Sequence, residues 1–290
     1  SRIVSYRRGE SRRGAAVHSP ASLCMELSPS VMGVVNVTPD SFFPGSHTFT
    51  SDDAVARGLA HFAAGCDIVD VGGESTRPGA TPVAVEEEIA RVVPVIEALS
   101  AVGPVSIDTQ KESVARAAIK AGASVLNDVS SSLVEVAGEL GVGYVAMHRQ
   151  GDSSVMQLNP TYSDVVGEIG EFLAAMAERA QHAGVRQLWL DPGIGFGKTT
   201  EHNVALLAHV SHFVEVAREH HAGVLIGTSR KRFLGDFGPV PLDVDERLEA
   251  SIATEAWVLL QGVSMVRVHD AAAAVQLREL LVRPVEEVIA

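Results

Sequence analysis

The sequence predicts a single (β/α)₈ barrel of the α/β class, the TIM-barrel architecture, and three observations support this prediction. The chain has 290 residues, the usual size of one such barrel. After Ser30, short apolar segments alternate with longer amphipathic segments. Most short segments are apolar on both faces, which is typical of strands in a buried parallel sheet. We therefore expect one closed sheet whose active-site mouth lies at the carboxyl ends of the strands.

The first four units follow one another at short spacing. Their strands are apolar and rich in valine and isoleucine, which favours strand over helix. The predicted strands cover residues 31–36, 67–72, 104–108 and 124–127. The helices that follow them cover residues 52–65, 86–101, 111–122 and 132–140, the last with the weakest pattern. An acidic run, Glu86 to Glu88, opens the second helix, where the helix dipole favours negative charge.

The last four units are longer and end the domain. Their strands are predicted at residues 143–148, 187–191, 223–228 and 264–269. Their helices are predicted at residues 162–184, 200–221, 246–262 and 271–287. An open doubly wound sheet is the alternative arrangement, but no GxGxxG sequence follows the first strand, which removes its usual support. The barrel therefore spans residues 31–290.

Composition bounds the setting and the partners. Residues 1–30 contain several arginines but no apolar core segment, so we expect a flexible tail rather than a secretory signal. No run approaches the roughly 18 apolar residues of a membrane helix. A net charge of −13 argues against nucleic acid as a partner. Cys24 and Cys66 lack CxxC spacing, which fits a reducing, cytoplasmic setting.

Polar or ionisable residues end almost every predicted strand. Helix capping accounts for some of the aspartates and asparagines, but it does not favour lysine, arginine or histidine. Among these strand-end residues are the carboxylates of Asp108 and Asp191, which accept hydrogen bonds, and Arg267, which can stack on a planar ring. Such residues suit a flat heterocycle with several N–H donors. The loop at residues 73–79, GESTRPG, offers backbone N–H groups and Arg77 to an anion. The pattern indicates a ligand with a planar ring at one end and a phosphate at the other.

Eight segments carry a resemblance to a known family. They are MGVVNVTPDSF (32–42), DVGGESTRPGA (70–80), SIDT (106–109), NDVS (127–130), MH (147–148), DPGIGFGK (191–198), GTSRKRFLG (227–235) and RVHD (267–270). Their identity and order resemble those of dihydropteroate synthases over essentially the whole chain from residue 31. The resemblance implies a transferase of folate biosynthesis, which joins 6-hydroxymethyl-7,8-dihydropterin diphosphate to 4-aminobenzoate and releases diphosphate with the help of Mg²⁺.

The resemblance also implies roles for individual residues. Lys231, Arg267 and His269 would be catalytic. The pterin would be held by Asp108, Asn127, Asp191, Lys231 and Arg267, and the diphosphate by Thr76, Arg77, Arg267 and His269. The aminobenzoate side would include Phe42, Pro78, Phe196 and Arg232, and Asn36 would be the metal ligand. A homodimer through the late helix near 246–262 is also implied.

One loop departs from the family pattern. Where the family continues NVTPDSF with Ser-Asp-Gly-Gly, this chain has Phe43 and Pro44. The carboxylate that covers the reacting centre in the family is replaced by Pro44. This favours an alternative, an inactive homologue that retains partial ligand binding. A pterin- or folate-dependent methyltransferase barrel is a second alternative, but the STRPG and SRK segments argue against it because that group has no second aromatic substrate.

Overall fold

The computed structural model describes residues 28–38, 50–75, 81–151 and 159–282. Eight parallel strands close into a barrel in chain order, with the first strand paired to both the second and the last. The predicted (β/α)₈ barrel is therefore confirmed. Residues 1–27 of the expected tail lie outside the described residues.

The strands and helices lie close to their predicted positions. The strands are β1 Ser30–Asn36, β2 Ile68–Gly72, β3 Val105–Asp108, β4 Val125–Asp128, β5 Gly143–Met147, β6 Leu188–Asp191, β7 Gly223–Ile226 and β8 Met265–Val268. The helices are α1 Ser51–Ala64, α2 Val85–Ser100, α3 Glu112–Lys120, α4 Val134–Leu140, α5 Val165–His182, α6 Thr200–Ala208, α7 Val210–Glu219, α8 Leu248–Leu260 and α9 Ala271–Val282. No helix among these residues is long and apolar enough to cross a bilayer.

The helix predicted at residues 200–221 is two helices in the structure, so this prediction is wrong. The segment expected at residues 200–221 consists of α6 and α7, which are separated at His209. His209 has φ −115° and ψ 26°, outside the α-helical region. Its ring Nδ1 lies 2.8 Å from the carbonyl oxygen of Ala205. This contact between side chain and backbone competes with regular helix continuation.

Local sequence sets where several helices begin. Thr50 forms a capping box with Asp53 at the start of α1. Asp164 accepts hydrogen bonds from the backbone N–H groups of Val166 and Gly167 at the start of α5. These side chains satisfy N–H groups that have no partner within the helix. These caps fix the first residues of α1 and α5. They therefore also fix where the loops that precede these helices end.

The barrel interior has an apolar layer below a polar one. The apolar layer is formed by Met32, Ile68, Val125, Val145, Trp189, Leu225 and Met265. Side chains two positions apart on a strand face the same side, so the next inward residues toward the mouth are Asp70, Asn127, Asp191 and Arg267. The second, larger core lies between the strands and the helices. Alternation along four strands thus puts polar and ionisable groups directly above the apolar layer.

Candidate active site

Three strands converge on Asp70, which lies in the middle of β2 and is 0% exposed. Its Oδ2 accepts hydrogen bonds from Nε of Arg267 on β8 at 2.7 Å and from Nδ2 of Asn127 on β4 at 2.9 Å. Arg267 also donates from Nη2 to Oδ2 of Asp108 on β3, at 2.9 Å. We call Asp70, Asp108, Asn127 and Arg267 the floor network. It brings together three of the predicted pterin residues and adds Asp70, which was not predicted.

Burial shapes the charges of the floor network. It raises the pKa of Asp108 to about 7, although Arg267 acts in the opposite direction. Burial alone would lower the pKa of Arg267, but the charges of Asp70 and Asp108 outweigh it and hold that pKa above its ordinary value. The guanidinium therefore stays charged, while Asp108 titrates near neutrality.

Several buried acceptor atoms of the mouth have no protein donor. Among the described residues, Oδ1 of Asp70, Oδ1 of Asp108 and Oγ of Ser106 are buried without a hydrogen-bond partner. Asp70 and Ser106 are neighbours in the register between β2 and β3. Buried carboxylate oxygens are normally hydrogen-bonded. Such atoms are suited to receive N–H groups from a ligand.

The opposite wall is the loop that follows β6. Oδ1 of Asp191 accepts the backbone N–H of Gly193 at 2.7 Å, and Lys231 donates to the carbonyl oxygen of Ile194. The ammonium of Lys231 lies 4.7 Å from the centre of the Phe196 ring, within the range of a cation–π contact. Burial lowers the pKa of Lys231 to about 8, and Asp191 opposes this shift. Burial also raises the pKa of Asp191.

A second lysine holds the same loop from below and was not predicted. Lys198 is 3% exposed. Its ammonium lies 3.0 Å from Nδ1 of His148 and 3.0 Å from the carbonyl oxygen of Phe196. Burial lowers the pKa of Lys198 to about 7, and burial with the nearby Lys198 lowers that of His148 to about 3. Lys198 is buried and His148 is half-buried, so their contact acts on the loop more than on solvent.

One lysine joins the two ends of the loop that follows β2. Lys111, just before α3, donates to Oε2 of Glu74 at 2.6 Å, to Oε2 of Glu88 at 2.6 Å and to the carbonyl oxygen of Val83 at 2.6 Å. Glu74 also accepts the backbone N–H of Val83 at 2.6 Å. Glu74 begins the loop and Val83 ends it, so these contacts fix the loop at its base.

The remaining predicted residues differ in their positions. Asn36 ends β1 opposite Gly72, and a Cβ at Gly72 would lie 3.8 Å from Oδ1 of Asn36 and 3.5 Å from Cβ of Asp108. His269 follows β8, and both its backbone N–H and its ring Nδ1 lie against Oγ of Ser229, at 3.1 and 3.2 Å. Arg232 begins a 3₁₀ turn and is exposed.

Part of the predicted set cannot be placed. Phe42, Thr76, Arg77 and Pro78 lie outside the described residues, as do Phe43 and Pro44. Of the two missed residues, Asp70 has a signal in the sequence. Asp70 is two positions before Gly72 on a predicted strand, so alternation alone puts its side chain in the barrel. Lys198 closes the DPGIGFGK segment, but nothing in its spacing shows that its ammonium turns inward.

Comparison with known proteins identifies the family. A family model described as "Pterin binding enzyme" matches residues 32–269. The dihydropteroate synthase of Escherichia coli K12 is 42% identical over 257 residues, which cover 85% of this chain and 88% of the relative. The sequence-based family assignment is confirmed.

Solved structures agree with this assignment. A structure of Xanthomonas albilineans dihydropteroate synthase with 4-aminobenzoic acid has a TM-score of 0.80 and 44% identity, and the match covers 90% of this chain and 93% of that one. The same enzyme in complex with 7,8-dihydropteroate has a TM-score of 0.76 and 40% identity, with 90% and 94% covered. This chain therefore belongs to the dihydropteroate synthase family of pterin-binding enzymes.

Proposed function

We propose that this dihydropteroate synthase-like protein of folate biosynthesis binds 6-hydroxymethyl-7,8-dihydropterin diphosphate in the barrel mouth and condenses it with 4-aminobenzoate. The observation that carries the proposal is Oδ1 of Asp108, a buried acceptor at the carboxyl end of β3 that has no donor among the described residues. A reduced pterin presents ring and amino N–H donors to such an atom. A solved relative at 44% identity is described with 4-aminobenzoic acid and another at 40% with 7,8-dihydropteroate.

Each wall would then have its own task. Asp108, Asn127 and Asp191 orient the pterin by accepting its N–H groups. Lys231 donates to the ring, and Arg267 lies against it as a fixed cation. His269, positioned by Ser229, faces the diphosphate together with Thr76 and Arg77. Fixed positive charge near the departing diphosphate lowers the barrier to its release, and the amine of 4-aminobenzoate then attacks the exocyclic carbon.

The aminobenzoate would occupy the side of the mouth near Phe196. The ring of Phe196 already supports the ammonium of Lys231. Arg232 follows Lys231 in the sequence and is exposed. Its guanidinium is suited to bind the carboxylate of 4-aminobenzoate. Phe42 and Pro78 are assigned to the same side by family resemblance.

Asn36 is the proposed Mg²⁺ ligand. An amide oxygen is a ligand that Mg²⁺ accepts, and this ion commonly keeps several waters and binds substrate phosphates. Among the described residues, no group of three or more His, Cys, Asp or Glu is arranged to hold a metal. Asn36 would hold the ion through its amide oxygen. When bound, it would take up negative charge on the leaving group.

The proposal extends to assembly and location. We propose a homodimer through α8, because that helix exposes Trp257 at 49% and Leu260 at 66%. We also propose a cytoplasmic location.

Direct turnover tests the proposed reaction. Purified protein is incubated with Mg²⁺, the pterin diphosphate and radiolabelled 4-aminobenzoate, and dihydropteroate is measured. Asp108→Asn serves as the control, because it keeps the shape of the side chain but removes the carboxylate. Turnover in the native protein that is lost in the control supports the reaction. A folded native protein without turnover contradicts it.

A second candidate is a homologue that binds the pterin but does not turn it over. The specific observation is Phe43-Pro44, which replaces the Ser-Asp of the family's first loop. Loss of one preorganised electrostatic contact lowers the rate by roughly 10²- to 10³-fold. Calorimetric titration with the pterin diphosphate, without aminobenzoate, measures binding alone. Binding without turnover, and turnover restored by Phe43→Ser with Pro44→Asp, would establish this candidate over the first.

A further inference from the structure

Asp70 contacts two proposed pterin residues that lie on different walls of the mouth. Its Oδ2 receives Nε of Arg267 and Nδ2 of Asn127. The side chain is inaccessible to solvent. It is absent from the set that family resemblance assigns to the ligands. A buried carboxylate with two such donors holds both of them in a fixed orientation.

The contact decides which end of Asn127 faces the ligand. An ionised carboxylate only accepts hydrogen bonds, so the amide must turn its Nδ2 toward Asp70. Its Oδ1 is then directed away from Asp70. In that orientation Asn127 presents an acceptor, as Asp108 does with its Oδ1. The two residues together favour a ligand edge that carries N–H donors.

The contact also fixes the guanidinium of Arg267. Nε is bound to Asp70 at 2.7 Å and Nη2 to Asp108 at 2.9 Å. Two carboxylates from adjacent strands therefore hold two different nitrogen atoms of one planar group. This leaves the plane of the guanidinium with little freedom to rotate, so its face is preset for a ring.

We propose that Asp70 is a positioning residue, which sets the hydrogen-bonding polarity of the mouth by orienting Asn127 and Arg267. This inference rests on the proposed pterin site and deepens it. Asp70 selects for ligands with a donor edge by turning the amide, without itself contacting the ligand. A carboxylate that only balanced the charge of Arg267 would affect stability but not the orientation of Asn127.

The first test compares Asp70→Asn with the matched control Asp67→Asn. Asp67 lies on the same segment but is partly exposed and pairs with Arg278, away from the mouth. Pterin affinity, measured by calorimetry at pH 8, should fall roughly 10- to 100-fold in Asp70→Asn, as expected for loss of hydrogen bonds to a charged group. It should be unchanged in Asp67→Asn. Equal affinity in both variants would overturn the proposal.

A double-mutant cycle separates positioning from a structural role. If Asp70 acts through Asn127, then Asp70→Asn should cost much less affinity in an Asn127→Ala background than in the native protein. Additive losses would show that Asp70 affects the site by another route, and would contradict the proposal. The melting temperature of each variant is recorded, because a purely structural effect would appear there and not in the coupling.

A spectroscopic measurement on the native protein does not depend on any ligand. The Nε–H of Arg267 and the side-chain amide of Asn127 should give fixed, slowly exchanging ¹⁵N–¹H signals, assigned with Arg267→Lys and Asn127→Ala. Freely exchanging signals would overturn the proposal even if Asp70→Asn failed to fold. Absence of pterin binding by the native protein would instead contradict the proposed function, while these signals would still test the role of Asp70.

Discussion

Arg267 donates a hydrogen bond of 2.9 Å from Nη2 to Oδ2 of Asp108, which links the last strand of the barrel to the third. The second oxygen of Asp108 has no donor among the described residues. One carboxylate thus makes an internal ion pair through one oxygen and leaves the other for the proposed ligand. The protonation state of Asp108 should therefore control what the mouth can bind.

Pterin affinity should depend on pH through Asp108. Its pKa is raised to about 7 by burial, so acidification below pH 7 protonates the carboxyl and removes an acceptor. We expect affinity to fall by up to about tenfold for each pH unit below 7. Calorimetry from pH 5 to 8 measures this, and Asp108→Asn should lack the acid limb. A flat profile in the native protein would contradict the prediction.

The raised pKa of Asp108 affects folding stability in the opposite direction to pterin affinity: stability decreases as the pH rises. Because the pKa of Asp108 is raised from 3.8 to about 7 in the folded protein, the folded state binds the proton more tightly than the unfolded state. The stabilising contribution of this group is therefore greatest below pH 3.8 and is lost as the pH rises through 7. The ionised form of Asp108, which the proposed ligand needs, therefore gives a less stable fold than the protonated form.

Lys111 should be important for stability, because it neutralises the buried Glu88. Glu88 is 1% exposed, and Lys111 contacts it at 2.6 Å. Loss of one partner of a buried hydrogen-bonded group costs about 1–3 kcal/mol, so Lys111→Met should lower the free energy of unfolding by that order in urea denaturation. Arg116→Met is the control, since Arg116 pairs with Glu112 and Glu139 at the surface. Equal losses in the two variants would contradict the prediction.

Gly193 should tolerate no side chain. It has φ +69°, and an added Cβ would lie 1.9 Å from the carbonyl oxygen of His148. Gly141 has nearly the same conformation, φ +68°, but an added Cβ there meets nothing within 4 Å. Gly141→Ala should therefore cost only about 1–2 kcal/mol, the cost of the left-handed conformation. Gly193→Ala should cost more and also weaken pterin binding; similar unfolding energies would show that the loop moves freely.

The proposed dimer depends on the apolar face of α8. Leu260→Glu places a charge on that face and should give a monomer in sedimentation velocity. Leu280 on α9 is comparably exposed, at 68% against 66% for Leu260, so Leu280→Glu is the matched control and should leave the assembly unchanged. A dimer that survives Leu260→Glu would place the interface elsewhere.

The sequence predicts strands better than it predicts contacts. Strand positions follow from short apolar runs, and all eight lie within about two residues of their predicted ends. The sequence pattern missed the break at His209, where a ring nitrogen lies against the carbonyl oxygen of Ala205. Periodicity carries no information about such a local contact.

The candidate site shows the same limit. Asp108, Asn127 and Asp191 were predicted from the family resemblance and lie at or next to strand ends, where a barrel keeps its mouth, and Lys231 lies in the segment after β7. Asp70 lies in the middle of β2 and was predicted only as part of a strand. Its importance appears only when Asn127 and Arg267, from distant parts of the chain, meet at one oxygen atom.

The closure of β1 on β8 also dictates when the site can form. Asp70 and Arg267 are 197 positions apart, so the ribosome releases almost the entire barrel before the ion pair can exist. Until Met265–Val268 is synthesised, β1 and β7 each have an unpaired edge, and such edges promote aggregation. Contacts of this sequence separation also slow folding. Pterin binding should therefore appear late and abruptly during refolding. A ligand present at that stage would favour the closed barrel over the aggregation-prone forms with unpaired strand edges.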